Sequence, residues 1–204
     1  VGAGSAQDAP EKSGTANLVA LLLGQGSATR SAWQIVDAMD AAGGAVTVTA
    51  GTDLTFAYAS VLEDSFDEGL GILADVVRAP AFAPDEVERQ RRQLRSALRV
   101  TYADPDFLAT LVHSRIVYGA HPYGLPVTGT PASIDGITRE DLLAFHARQY
   151  VPNNCLLAIV GDVDPAEALA AAERAFGSWE RRDLPADAMP DPPAPARRVV
   201  VVDT

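Results

Sequence analysis

Apolar positions recur with two different periods along this chain, and each change of period marks an element. Residues 18–23 form an unbroken apolar run behind Ser13, Gly14 and Thr15. That pattern predicts a capped, mostly buried helix ended by Gly24. Trp33, Val36 and Met39 fall near helical spacing, so a second helix is expected over 29–42, stopped by Gly43-Gly44. Residues 45–50 and 54–62 are rich in Val, Thr, Phe and Tyr around Gly51-Thr52-Asp53, which predicts a β-hairpin. In the second strand Leu54, Phe56, Tyr58 and Ser60 alternate with Thr55, Ala57, Ala59 and Val61, so the first set makes the bulkier face.

Helical spacing returns with Phe66, Leu70, Leu73 and Val77, until Pro80. Pro84 suits the first turn of the charged stretch 85–99, whose thin apolar stripe is Val87, Leu94 and Leu98. Asp104-Pro105 restarts a helix that Gly119 closes, and Thr138 with Asp141 resembles a capping box for a helix to about Tyr150. Residues 154–160 read as a short buried strand ended by Gly161-Asp162, and Asp164-Pro165 opens an Ala-rich helix ended by Gly177. Residues 184–196 read as a Pro-rich linker, and 197–204 as the first strand of a following domain. The order of hairpin, helices, strand, helix and strand favours α+β: a largely antiparallel sheet with helices packed on one face. The chain opens on Val1 and stops on a β-branched run, which suggests a piece of something longer.

Charge removes some classes of function. A net charge of −11 leaves no basic surplus for nucleic acid or for a polybasic membrane anchor. No apolar run approaches the roughly 18 residues of a membrane span. Cys155 is the only cysteine, so no internal disulfide forms, and in an apolar strand its thiol reads as inert packing. The 3 histidines, His113, His121 and His146, lie far apart in sequence. There is no phosphate loop and no Gly-x-Ser-x-Gly elbow. Arg89-Gln90-Arg91-Arg92 reads as a solvated face with pairs such as Glu88–Arg92.

The landmarks nevertheless resemble one family when taken in order. Ser13-Gly14-Thr15-Ala16-Asn17-Leu18-Val19-Ala20-Leu21 is similar to the signature helix of the M16 metallopeptidases, the pitrilysin and processing-peptidase group. Gly43-Gly44, Asp53-Leu54-Thr55-Phe56, Pro80-Ala81-Phe82, His121-Pro122-Tyr123-Gly124, Val151-Pro152-Asn153-Asn154 and Phe176-Gly177-Ser178-Trp179 follow in family order. Active members of that family place His-x-x-Glu-His on the first helix. Two imidazoles one turn apart hold zinc, and the intervening Glu is general base. A distal Glu completes the site.

Every chemical position departs from that pattern. The resemblance puts the first histidine's place at Asn17, the base's at Ala20, the second histidine's at Leu21 and the distal Glu's at Ala97. It therefore implies no catalytic residue, no metal ligand and no cofactor in this chain, with zinc expected only in an active partner. A composite site from His121 and His146 is the alternative. His121 reads as a structural capping residue, His146 as half-buried, and His113 as packing.

The resemblance also implies an M16-type domain over 1–183 with its first strand or strands missing. The function it implies is a non-catalytic homologue. Such a chain pairs with an active M16 subunit, or with the second half of its own chain, to form a peptide-degrading chamber. The edge strand Val46-Thr47-Val48-Thr49 is the candidate peptide-binding strand, with an ordinary strand as the competing reading. An active zinc endopeptidase with a misplaced site and an architectural subunit of a larger complex are the rival functions. Composition suggests a bacterial chain, and the periplasm is favoured over the cytoplasm.

Overall fold

The computed structural model describes residues 1–184, 189–194 and 196–201. Parts of the expected linker and of the final strand, 185–188, 195 and 202–204, thus lie outside the described residues.

The apolar run becomes α1 (Thr15–Leu23), the hub of the molecule. Leu18, Val19, Leu22 and Leu23 are buried on it. Helix α2 (Ala32–Ala41) starts later than expected, because Ser31 and Gln34 form a reciprocal capping box there. The hairpin is β1 (Ala45–Ala50) and β2 (Thr55–Ser60), antiparallel, with Thr47 opposite Tyr58 and Thr49 opposite Phe56. Then come α3 (Phe66–Arg78), α4 (Pro84–Thr101) and α5 (Pro105–Tyr118). A short helix, α6 (Pro131–Gly136), was not anticipated. Its signal is Thr130-Pro131 with Ser133, another capping box. Helices α7 (Arg139–Gln149) and α8 (Pro165–Phe176) complete the list.

The architecture is α+β, with helices on one face of an antiparallel sheet. Helix α1 packs against β1, α4 and α7, while α3 packs against β2 and α8. Leu18, Ile72, Leu98, Leu142 and Phe145 thereby share one core. Helix α5 buries none of its residues and rides on the turn Pro122–Gly124 instead.

The hairpin is turned the other way from what side-chain bulk suggests. Phe56 and Tyr58 are 66% and 65% exposed, while Ala57 and Ala59 face the core. Helices α1, α2 and α3 crowd the inner face, and small residues let them approach. Residues 155–160 are not a buried strand: they have no strand beside them, and Leu156 and Val160 are 86% and 97% exposed. Residues 197–201 are likewise exposed, with no assigned strand. Charge pairs on α4 form at three-residue spacing, Arg89–Glu86 at 2.7 Å and Arg91–Glu88 at 2.8 Å, rather than between Glu88 and Arg92.

Candidate functional site

Helix α1 is held at its start by residues just before it and by the segment 126–141. Its N-cap, Gly14, has φ 96°, so no side chain is available there to accept a helix amide. Asp8 supplies the acceptor instead. Its Oδ2 accepts from the Gly14 amide at 2.8 Å and its Oδ1 from the Ala16 amide at 2.9 Å. Burial pushes the Asp8 carboxyl up to about 7, against the downward pull of those amides and of Arg148. From the other side, Ser133 Oγ donates to the Ser13 carbonyl at 2.7 Å, and Ser13 Oγ donates to Pro126 O at 3.1 Å. Lys12 pairs with Asp141 at 2.8 Å, which holds the Asp141 carboxyl below its ordinary range, and it also donates to the Gly136 carbonyl.

The positions singled out on α1 come together on this clamped helix. Asn17 and Leu21 are one turn apart and share a face. Asn17 is half-buried, Leu21 is 37% exposed and Ala20 is 3% exposed. Helix α4, which packs on α1, carries Ala97 at an exposed position. An amide, two methyls and an isobutyl group do not fit a zinc ion, which takes imidazole, thiolate or carboxylate donors. Among the described residues, no three His, Cys, Asp or Glu side chains group closely enough to hold a metal.

The histidines do not meet. The His121 Nδ1 accepts from the Tyr123 amide at 3.1 Å, and its ring packs edge-on against Tyr123 at 4.6 Å. Tyr123 in turn donates to Asp53 Oδ1 at 2.7 Å, tying this turn to the hairpin loop. His146 lies elsewhere: its Nε2 bonds the Val77 carbonyl at 2.8 Å and its ring stacks on Tyr150 at 4.7 Å. Burial lowers its pKa, which favours the neutral ring that donates there. His113 is exposed on α5 rather than packed. Cys155 is half-buried, and burial pushes its thiol up, away from the reactive thiolate.

Strand β1 is an edge. Thr47 and Thr49 bond to β2, so the amides and carbonyls of Val46 and Val48 point away from it. No third strand lies beside β1 among the described residues. That leaves an extended peptide's worth of unpaired backbone on the same side of the core as α1 and α2.

Comparison with known proteins decides the family. The insulinase, or peptidase family M16, model matches residues 1–131. The chain belongs to peptidase family M16. The model of the peptidase M16 inactive domain matches residues 136–204. An uncharacterized zinc protease of Mycobacterium leprae is 33% identical over 178 residues, covering 87% of this chain and 40% of that protein. An uncharacterized zinc protease of Bacillus subtilis is 25% identical over 89% of this chain. The chain thus spans less than half the length of these M16 relatives. A solved peptidase M16 inactive domain from Pseudomonas fluorescens superposes with TM-score 0.86 at 29% identity, covering 94% of this chain and 47% of that one. A Helicobacter pylori protease shares the fold with TM-score 0.88. The second M16 model begins where α6 ends, yet α7 sends Leu142 and Phe145 into the core that α1 occupies. Among the described residues, no helix is long and apolar enough to cross a membrane.

Three positioning residues escape a reading by motif: Asp8, Ser133 and Tyr123. For Asp8 the cue was present, an acidic residue shortly ahead of a helix whose N-cap is glycine. For Ser133 and Tyr123 the partners are remote in sequence, and no local pattern reports them.

Proposed function

We propose that this chain is the non-catalytic M16 domain of a peptide-degrading assembly. Asn17, Ala20, Leu21 and Ala97 stand where active relatives carry zinc ligands and the general base. The observation that carries this is the chemistry of α1. Asn17 and Leu21 have the one-turn spacing of a zinc site, but the Asn17 amide is at best a weak ligand and Leu21 and Ala20 offer none. Its partner is an active, zinc-bearing M16 subunit or the other half of a longer chain. The open edge of β1 at Val46–Thr49 receives an extended peptide by backbone pairing. The net charge of −11 favours basic, unfolded peptides.

The test uses the full-length protein from its host. Zinc is measured on the purified protein and on its complex with a candidate subunit carrying His-x-x-Glu-His. Cleavage of peptides of graded charge is followed in parallel. The reading expects no zinc and no cleavage from this protein alone, with both appearing in the complex. Stoichiometric zinc with chelator-sensitive cleavage by the protein alone overturns it in favour of an active zinc protease, the name its relatives carry. A complex that assembles but never cleaves makes it architectural.

A further inference from the structure

Helix α2 divides into a buried and an exposed side, and the exposed side mixes apolar residues with acids alone. Ile35 and Met39 face the core, while Trp33, Val36, Asp37 and Asp40 share an arc of about 100° on the opposite side. Trp33 is 75% exposed, and Val36 is exposed beside it. Apolar surface continues past the end of α2, where the Leu62 amide donates to the Ala42 carbonyl at 3.1 Å and the Leu62 side chain stands exposed. Glu63 and Asp64 follow it, both exposed.

The charges here work against the fold that carries them. Asp40 lies in the last turn of α2, where the helix carbonyls make the potential negative and no basic residue offsets it. Asp37 stands three residues before Asp40, a spacing at which like charges repel. Glu63 and Asp64 bring two more carboxylates to the same helix end. Among the described residues, none of the four has a cationic partner. Elsewhere acids sit where they help, as Asp85 and Asp106 do in the first turns of α4 and α5. A local rule broken with no gain inside the fold marks surface kept for something outside it.

We propose that this face docks a basic amphipathic helix of another protein. The docked helix lays apolar side chains on Trp33, Val36 and Leu62 and sets Lys or Arg against Asp37, Asp40, Glu63 and Asp64. Trp33 and Asp37 stand at i, i+4, so one cation rests on the indole face and against the carboxylate together. A helix suits the surface because side chains three and four apart on α2 form ridges that seat between those of a second helix. Anionic membranes and nucleic acid share the sign of this face and are repelled. A second copy carries −11 too and is repelled likewise.

This inference does not rest on the peptidase reading. Its probe is a dye-labelled Leu/Lys peptide with every leucine on one helical face, titrated with the full-length protein and read by fluorescence anisotropy. A scrambled peptide of the same composition, and one with Glu for Lys, are expected to bind at least about 10-fold more weakly. Trp33→Ala is expected to weaken binding about 30-fold, and Asp37→Asn with Asp40→Asn about 10-fold. Asp85→Asn with Asp106→Asn removes as much charge and leaves the Kd unchanged. The Asp37 and Asp40 double variant also melts about 1–3 °C higher, while the Asp85 and Asp106 pair melts lower. Equal affinity for the scrambled peptide, or in the two double variants, overturns the proposal. So does full affinity in Trp33→Ala, or a double variant at Asp37 and Asp40 that melts no higher. A dimer that forms with rising protein concentration and is lost in Trp33→Ala makes a second copy the occupant, and that overturns it as well.

Discussion

Asp8 Oδ1 accepts the Ala16 amide at 2.9 Å, so the helix carrying the motif positions is capped by a carboxylate from the preceding turn. Burial raises that carboxyl from 3.8 to about 7. Its folded pKa exceeds its unfolded one, so between those values the folded state holds a proton that the unfolded chain releases. The contribution to stability is therefore full below about pH 4 and is lost as pH rises to about 7. Asp8→Asn, which cannot titrate, removes this slope. Urea midpoints of both proteins across that window check it. A difference between them that stays constant with pH refutes the shift.

Gly14 and Gly129 face one another at φ 96° and φ 74°, where the chain from α6 closes over α1. A Cβ on Gly14 sits 2.7 Å from Ile134 Cδ1, and one on Gly129 strikes the Ser13 carbonyl. Gly129→Ala combines left-handed strain with a backbone clash, so a loss of about 2–4 kcal/mol is expected from denaturant unfolding. Gly136→Ala, with nothing near its Cβ, is the control and stays within about 0.5 kcal/mol.

If Asn17, Leu21 and Ala97 hold the ligand places, the site is rebuilt by Asn17→His, Leu21→His and Ala97→Glu together. One zinc per chain is expected in the triple variant and none in Asn17→His alone, read by elemental analysis after dialysis. Ala20→Glu adds a carboxylate where the parent side chain is buried, and alone costs about 1–3 kcal/mol of stability. A triple variant that folds without binding zinc shows that Ala97 is not the distal position.

How much of this was legible depends on how local each cause is. Helix α4 begins at Pro84 as its sequence indicates, because proline and two acids in the first turn act on their own neighbours. The hairpin was legible in place for the same reason. Its inside and outside were not. Which face of β2 is buried depends on helices α1 and α3, and the bulkier set, Phe56 and Tyr58, lost to the alanines. Residues 155–160 carry strand propensity but no neighbouring strand, so composition misled there. At the candidate site, the departures at Asn17, Ala20 and Leu21 were visible as residue types. The Asp8 cap and the Ser133 bond to Ser13 were not, since they join segments that no motif spans.

The outward face of the hairpin gives a further contrast. Phe56→Ser with Tyr58→Ser changes exposed side chains, so stability is expected to hold within about 0.5 kcal/mol per site. Leu18→Ala, in the fully buried core, costs about 2–5 kcal/mol. Thermal unfolding of the two variants separates them. A large loss from the Phe56 and Tyr58 pair shows that this face is covered.

The bond from Ser133 to Ser13 crosses 120 positions of sequence. During synthesis α1 is made well before the segment that clasps it, residues 126–141. Until residues 126–141 emerge, a helix whose sequence is Thr-Ala-Asn-Leu-Val-Ala-Leu-Leu-Leu has no lid over its start. Closure over the start of α1 therefore waits for that segment, and until then an apolar helix end stays open to contact with other chain.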